Sequence, residues 1–291
     1  MTLVTRWRLL AALLVAIGSA TGVSVLAQVS QDPNWHPRIW VGNNGRWYRT
    51  PPKWGTRENF DGSWTYCRGF YYSNRREAGG SGWDTDFPGA DNNFSVRLAE
   101  LTAVRIKLDD GGQPDYVVVR ITDPLLSRCS MLHLEDAGTA QFTDEEVDAL
   151  RTYLLKGGFV TVDDFWGTAA WEQWAGEIGR VLPPDQYPIF DIPSTHPILH
   201  TLYDIQEVEQ VSNIRFWMLT RGNVSERGAD SPHANFRGIA DQQGRLMVAM
   251  THNTDIPDTW EREGESKEYF DRFSPNGYAV GVNTVIYSLT H

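Results

Sequence analysis

An α/β fold built on a mostly parallel sheet is what this sequence predicts, and three observations predict it. Residues Thr143 to Leu155 carry Val147, Leu150 and Leu154 at helical spacing. Gly157 stops that helix, and the apolar run from Phe159 through Val162 reads as a buried strand ending on Asp163 and Asp164. A second helix follows at once, with Trp171, Trp174, Ile178 and Val181 on one face. Helix, glycine turn, strand and helix at such short intervals call for parallel strands with helices on the sheet's faces.

Taken in order, the chain opens with Arg6 and Arg8, an apolar run from Leu9 to Ile17, and small residues leading to Val25, Leu26 and Ala27. This is the pattern of a secretory signal over residues 1–27, with cleavage after Ala27; left uncleaved, the same segment anchors the chain to a membrane. Export to the periplasm or the extracellular space is the expectation. Residues 28–62 hold Trp35, Trp40, Trp47 and Trp54 among Pro33, Pro37, Pro51 and Pro52 without helical or alternating period. They read as an extended arm packed along the surface of a domain spanning residues 63–291.

Within that domain Trp64 to Tyr72 reads as a strand, followed by a glycine-rich loop, Ala78 to Trp83. Asn92 to Leu101 begins polar and turns apolar as a helix start does. Ile106, Tyr116 to Ile121 and Met131 to Leu134 supply further strands. The helix after Thr143 carries a capping box, Thr143 with Glu146 three residues on. In the more mixed last third, Arg237 to Ala240 and Arg245 to Met250 form a hairpin through Asp241 to Gly244, and Val280 to Leu289 closes the chain as a helix.

Removing residues 1–27 takes Arg6 and Arg8 from the 26 basic residues, leaving 24 against 37 acidic ones, a balance of −13. Such a surface repels nucleic acid and anionic lipid. Cys67 and Cys129 are the chain's two cysteines, too sparse for a disulfide-dense scaffold; they read either as one bridge or as two buried thiols. Neither sits in a strand-turn-helix elbow, and neither Ser73 nor Ser81 lies in a G-x-S-x-G elbow, so thiol and serine nucleophiles both lack their setting.

The strings TDFPGADNNFSVRL (residues 85–98), LRTYLLKGGFVTVDDFWG (150–167) and AMTHNTD (249–255), with GYAVGVNTVIYSLTH at the end, resemble the bacterial family known as domain of unknown function 4159. The likeness runs over about residues 62–291. It implies a three-layer fold similar to class I glutamine amidotransferases, flavodoxin-like in its layering, in proteins usually exported or membrane-anchored, and it brings no established activity. The cysteine nucleophile of the amidotransferases has no counterpart on a glycine-flanked elbow here, so the resemblance does not extend to glutamine hydrolysis.

In open α/β sheets ligands bind beyond the carboxyl ends of the strands, which makes Asp163 and Asp164 the leading site candidates. Neighbours on a strand diverge, so one aspartate is expected to serve the crevice while Asp164 or Thr168 caps the following helix. His252 and Asp255 follow another strand, and together with Asp163 they form a candidate set for a divalent cation. Asp86 and Asp91 lie on an acidic loop suited to fold over a crevice, Trp166 and Trp260 are candidate ligand walls, and Arg120 is a candidate clamp for an acidic group. The reading is therefore an exported protein that binds a small polar ligand, a saccharide or cell-envelope fragment, with no certain cofactor. A metal- or carboxylate-assisted hydrolase and a structural envelope interaction module are the alternatives.

Overall fold

The computed structural model describes residues 50–291; the signal segment 1–27 and the first part of the arm, 28–49, lie outside the described residues. The chain forms an α/β fold around a seven-stranded, mostly parallel sheet. The sheet strands are β1 (Tyr66–Phe70), β3 (Tyr116–Arg120), β4 (Leu132–Leu134), β6 (Val160–Phe165), β7 (Phe190–Asp191), β8 (Asn235–Ala240) and β9 (Leu246–His252). A separate two-stranded sheet pairs β2 (Tyr72–Ser73) with β5 (Ala140–Gln141).

The order across the main sheet is β3-β1-β4-β6-β9-β8-β7. The first five strands run parallel, and β8 and β7 add an antiparallel edge. Numbered along the chain, the parallel strands stand in the order 2-1-3-4-5, so the winding reverses between β1 and β4.

Helices cover both faces. Helices α2 (Asp144–Leu155) and α3 (Gly167–Val181) pack Leu150, Leu154, Trp174 and Ile178 onto Cys67, Val117, Val160, Val162 and Met250. On the other face α1 (Gly89–Leu101) and α6 (Lys267–Thr290) bury Phe94, Leu98, Phe273 and Val282 against Tyr66 and Ala249. Alternate strand residues divide between two cores, as the pleat requires. The short helices α4 (Ile214–Leu219) and α5 (Asp258–Glu261) fill connections around β8 and after β9.

Several expectations are met by specific bonds. Thr143 accepts from the Glu146 amide while Glu146 reaches back to the Thr143 amide, and Gly157 leaves α2 at φ +102°, a conformation that suits glycine. The expected helix at Val280 starts at Lys267 instead, where the Ser266 hydroxyl caps the Tyr269 amide. Pro275 marks a break in the sequence, but Tyr269, Phe273 and Tyr278 are buried on either side of it and hold the helix through. Cys67 and Cys129 are bonded to each other across 62 residues, which decides between bridge and buried thiols. The end of the arm lies along β3: the Val118 amide donates to the Lys53 carbonyl at 2.7 Å and the Gly55 amide to the Val118 carbonyl at 3.0 Å. None of the described helices is long and apolar enough to cross a membrane.

Candidate functional site

Because β4, β6 and β9 are parallel, their carboxyl ends open on one edge of the sheet and bring Glu135 and Asp136, Asp163 and Asp164, and Asn253 and Asp255 together. The register between β6 and β9 slips there: Val162 stands opposite Met250 and Phe165 opposite His252, so Asp163 and Asp164 together face the single residue Thr251. This is a β-bulge, a feature that re-aims side chains. Asp164 is the extra residue and takes the left-handed conformation, φ +49°.

The two aspartates consequently have different surroundings. Asp163 turns toward α1 and α6 and accepts from the Thr251 hydroxyl, from the Ile256 amide at 3.0 Å and from the Asp164 amide at 2.7 Å. Asp164 accepts from the Trp166 indole at 2.8 Å. Neither Asp164 nor the Thr168 side chain caps α3. The Gly167 amide donates to Asn253 Oδ1 at 2.8 Å and the Thr168 amide to Asp230 at 3.1 Å, so the cap comes from two remote loops.

A polar stripe crosses the buried face beneath these ends. Arg68, fully buried on β1, holds Asp91 of α1 through Nε at 3.0 and 3.1 Å and reaches Glu135 at 3.4 Å. Glu135 meets His133 Nε2 at 2.6 Å, and His133 Nδ1 meets the Thr161 hydroxyl at 2.8 Å. Burial pushes the Glu135 carboxyl up to about 8 and the His133 imidazole down to about 3, so burial moves both groups toward their neutral forms. Glu135 Oε1 has no hydrogen-bond partner. Sequence reasoning passed over Arg68, His133 and Glu135, yet a signal existed: Arg68, His133, Thr161, Asp163 and Thr251 interrupt apolar strands at the positions of one face.

The segment from Gly79 to Phe87 folds across the strand ends. The Gly82 amide donates to Asp136 Oδ2 at 2.7 Å, and Arg68 Nη1 donates to the carbonyls of Thr85 at 2.9 Å and Trp83 at 3.3 Å. Asp86 at the end of this segment has φ +59°, and its carboxylate lies with those of Asp255 and Asp258, one oxygen from each falling within 4.8 Å of the others. Burial, with the Glu135 charge next, pushes Asp86 up to about 6; burial also pushes Asp258 to about 6. Asp255 is held well above the usual carboxylate range by burial and then by Asp164. Glu261 is held there by burial and then by Asp86, with which it shares a carboxyl contact. The facing cations are Arg68 and, at the rim, Arg262, which donates to Asp258 at 3.2 Å. Asp258 and Glu261 escaped sequence reasoning because α5 is a single turn with no periodic pattern to mark it.

The structure does not assemble the expected set of Asp163, His252 and Asp255 around one point. His252 follows Thr251 on β9 and therefore faces α3, with its ring 4.9 Å from Phe165 and 5.3 Å from Trp171 and its Nε2 3.1 Å from the Gly167 carbonyl. Burial lowers its imidazole to about 4. Arg120 lies away from the acidic groups, its guanidinium 4.1 Å over Trp54 and 4.9 Å over Phe70. Trp166 and Trp260 are 4% and 5% exposed, too deeply buried to stack on a sugar ring as they stand. A cavity of about 30 Å³ touches Asp163, His133, Thr161, Thr251 and Trp260, which is room for a water molecule or two.

A comparison with curated proteins gives no match. Residues 74–289 match the family described as Domain of unknown function (DUF4159), and that span takes in every strand of the main sheet after β1 and all the acidic groups of the carboxyl edge: the chain belongs to this family.

Proposed function

We propose that this DUF4159 protein is exported and binds a small polar ligand, one that brings positive charge with it, in the acidic crevice at the carboxyl ends of β4, β6 and β9. The observation that carries the reading is charge: Asp86, Glu135, Asp163, Asp164, Asp255, Asp258 and Glu261 crowd one edge, and all are raised by burial. Carboxyls packed in this way either keep their protons or take up a cation. The strand order 2-1-3-4-5 supports a flavodoxin-like arrangement resembling the class I amidotransferases, whose ligands gather where the winding reverses. Here that point lies between β1 and β4, beside Arg68 and Glu135. The Cys67–Cys129 bond supports export to an oxidising compartment, and it ties up both sulfurs that amidotransferase chemistry would use.

Calorimetry and thermal-shift measurements on the mature chain, with chelator-treated protein against divalent cations, polyamines and amino sugars, test this. A ligand at 100 times its Kd stabilises by about 2.7 kcal/mol. Binding by at least one class, weakened in Glu135→Gln, is expected; a flat response to all of them would sink the reading. A second reading, a carboxylate-assisted hydrolase, is favoured by Glu135, whose carboxyl burial pushes up to about 8 beside His133, the direction a general acid requires. It predicts turnover of a labile ester or glycoside that disappears in Glu135→Gln.

A further inference from the structure

We propose that a hard divalent cation, held by Asp86, Asp255 and Asp258, fastens the Gly79–Phe87 segment over the crevice. The inference rests on the crevice being a ligand site and names the ligand and its consequence. All three groups offer oxygen, with no histidine or thiolate among them, which favours Mg²⁺, Ca²⁺ or Mn²⁺ over softer ions. Two further observations point inward. Asp86 Oδ2 is buried with no donor, its carboxyl contact being with Glu261, and Glu135, a fully buried side chain close enough to act on Asp86, has Oε1 unpartnered.

The three ligands come from two parts of the chain. Asp255 and Asp258 follow β9, and the bond from the Asp258 amide to Asp255 Oδ1 at 2.9 Å fixes them to each other. Asp86 arrives on a segment that Asp136 ties through the Gly82 amide and Arg68 through the Trp83 and Thr85 carbonyls, and whose Trp83 and Phe87 rings pack on Phe70 and Tyr116. Gly79 and Gly82, at φ +97° and +88°, give that segment backbone freedom. A cation bonded to both parts adds a direct link where the bare carboxylates repel.

Hydrogen-exchange mass spectrometry on the mature chain, with chelator and then with each of Mg²⁺, Ca²⁺ and Mn²⁺, reads the segment; calorimetry on the same samples reads binding. The expected result is binding of at least one ion, with exchange over residues 79–87 slowed roughly tenfold, matching about 1.4 kcal/mol of local stability. Asp86→Asn keeps the turn, because asparagine tolerates the left-handed conformation, and should weaken binding at least tenfold and abolish the slowing. Asp258→Asn serves as the second ligand variant. Binding without slower exchange overturns the fastening, and binding unchanged in both variants overturns the ligand assignment. Failure of all three ions while a polyamine or amino sugar binds overturns this inference and leaves the crevice reading standing.

Discussion

Replacing Asp86 by asparagine should make the metal-free protein more stable and cut the stability that a bound cation adds by about half or more. The side chain keeps its volume and the backbone its φ of +59°, so charge is the main change. Burial raises the Asp86 carboxyl from 3.8 to about 6. A carboxyl raised on folding costs nothing below its unfolded value, costs progressively more as pH climbs through the gap, and costs a constant amount above the folded value. At 1.36 kcal/mol per pH unit the gap between 3.8 and about 6 comes to about 3 kcal/mol, an upper figure because the residue is only partly enclosed. Urea unfolding in chelator should therefore show wild type losing ground to Asp86→Asn between pH 4 and pH 6 and trailing it by about 1–3 kcal/mol at pH 7.5. A saturating cation should restore about 2.7 kcal/mol to wild type at 100 times Kd and at most about 1.4 kcal/mol to a variant that binds at least tenfold more weakly, closing the gap by about 1.3 kcal/mol or more. If the two proteins run in parallel from pH 4 to pH 8 in chelator, Asp86 carries no buried charge and the argument from crowding is wrong.

The sheet parity makes His252 the informative control. His252→Gln should leave cation affinity within about twofold while lowering stability by about 1–2 kcal/mol through lost ring packing on Phe165 and Trp171, as calorimetry and urea titration will show. Breaking the Cys67–Cys129 bond by serine substitution frees a loop of 62 residues and should cost about 4 kcal/mol on a chain-entropy estimate, readable as a lower urea midpoint. Asn253→Ala removes the bond to the Gly167 amide at 2.8 Å and puts alanine at φ +63°, for a loss of about 2–3 kcal/mol. Asn253→Gly should recover the backbone share of that loss alone.

What the sequence disclosed and what it withheld divide along physical lines. Short-range signals carried through: the capping box at Thr143, the stop at Gly157, the apolar run of β6 and the hairpin of β8 with β9 all depend on neighbours a few residues apart. Asp163 and Asp255 lie at one edge because parallel strands share a carboxyl side. His252 misleads because it opens a run of polar letters that ends at Asp255, whereas the strand continues to His252 and sends Thr251 and His252 to opposite faces. Asp258, Glu261 and the partners of Asp86 were hidden by distance along the chain. Only the fold brings residue 86 beside 258, and no local pattern records it.

Left-handed residues mark this edge, and they separate structural carboxyls from the one without such a role. Asp136 after β4, Asp164 in the β6 bulge, Asn253 after β9 and Asp86 in the covering segment all have positive φ, where glycine meets less resistance than any side chain. For three of them the side chain has a structural task that glycine would forfeit: Asp136 holds the Gly82 amide, Asp164 the Trp166 indole and Asn253 the Gly167 amide. Asp86 has no bond of that kind. Its Oδ2 is buried with no donor, its carboxyl contact is with Glu261, and Asp255 and Asp258 repel it when ionised. Backbone cost and charge cost therefore fall on the same residue, with Arg262, Arg68 and the contact with Glu261 offsetting part of the charge cost. A cation shared with Asp255 and Asp258 offsets both, which is why Asp86, more than the paired aspartates of β6, is the residue on which the function of this edge should be tested.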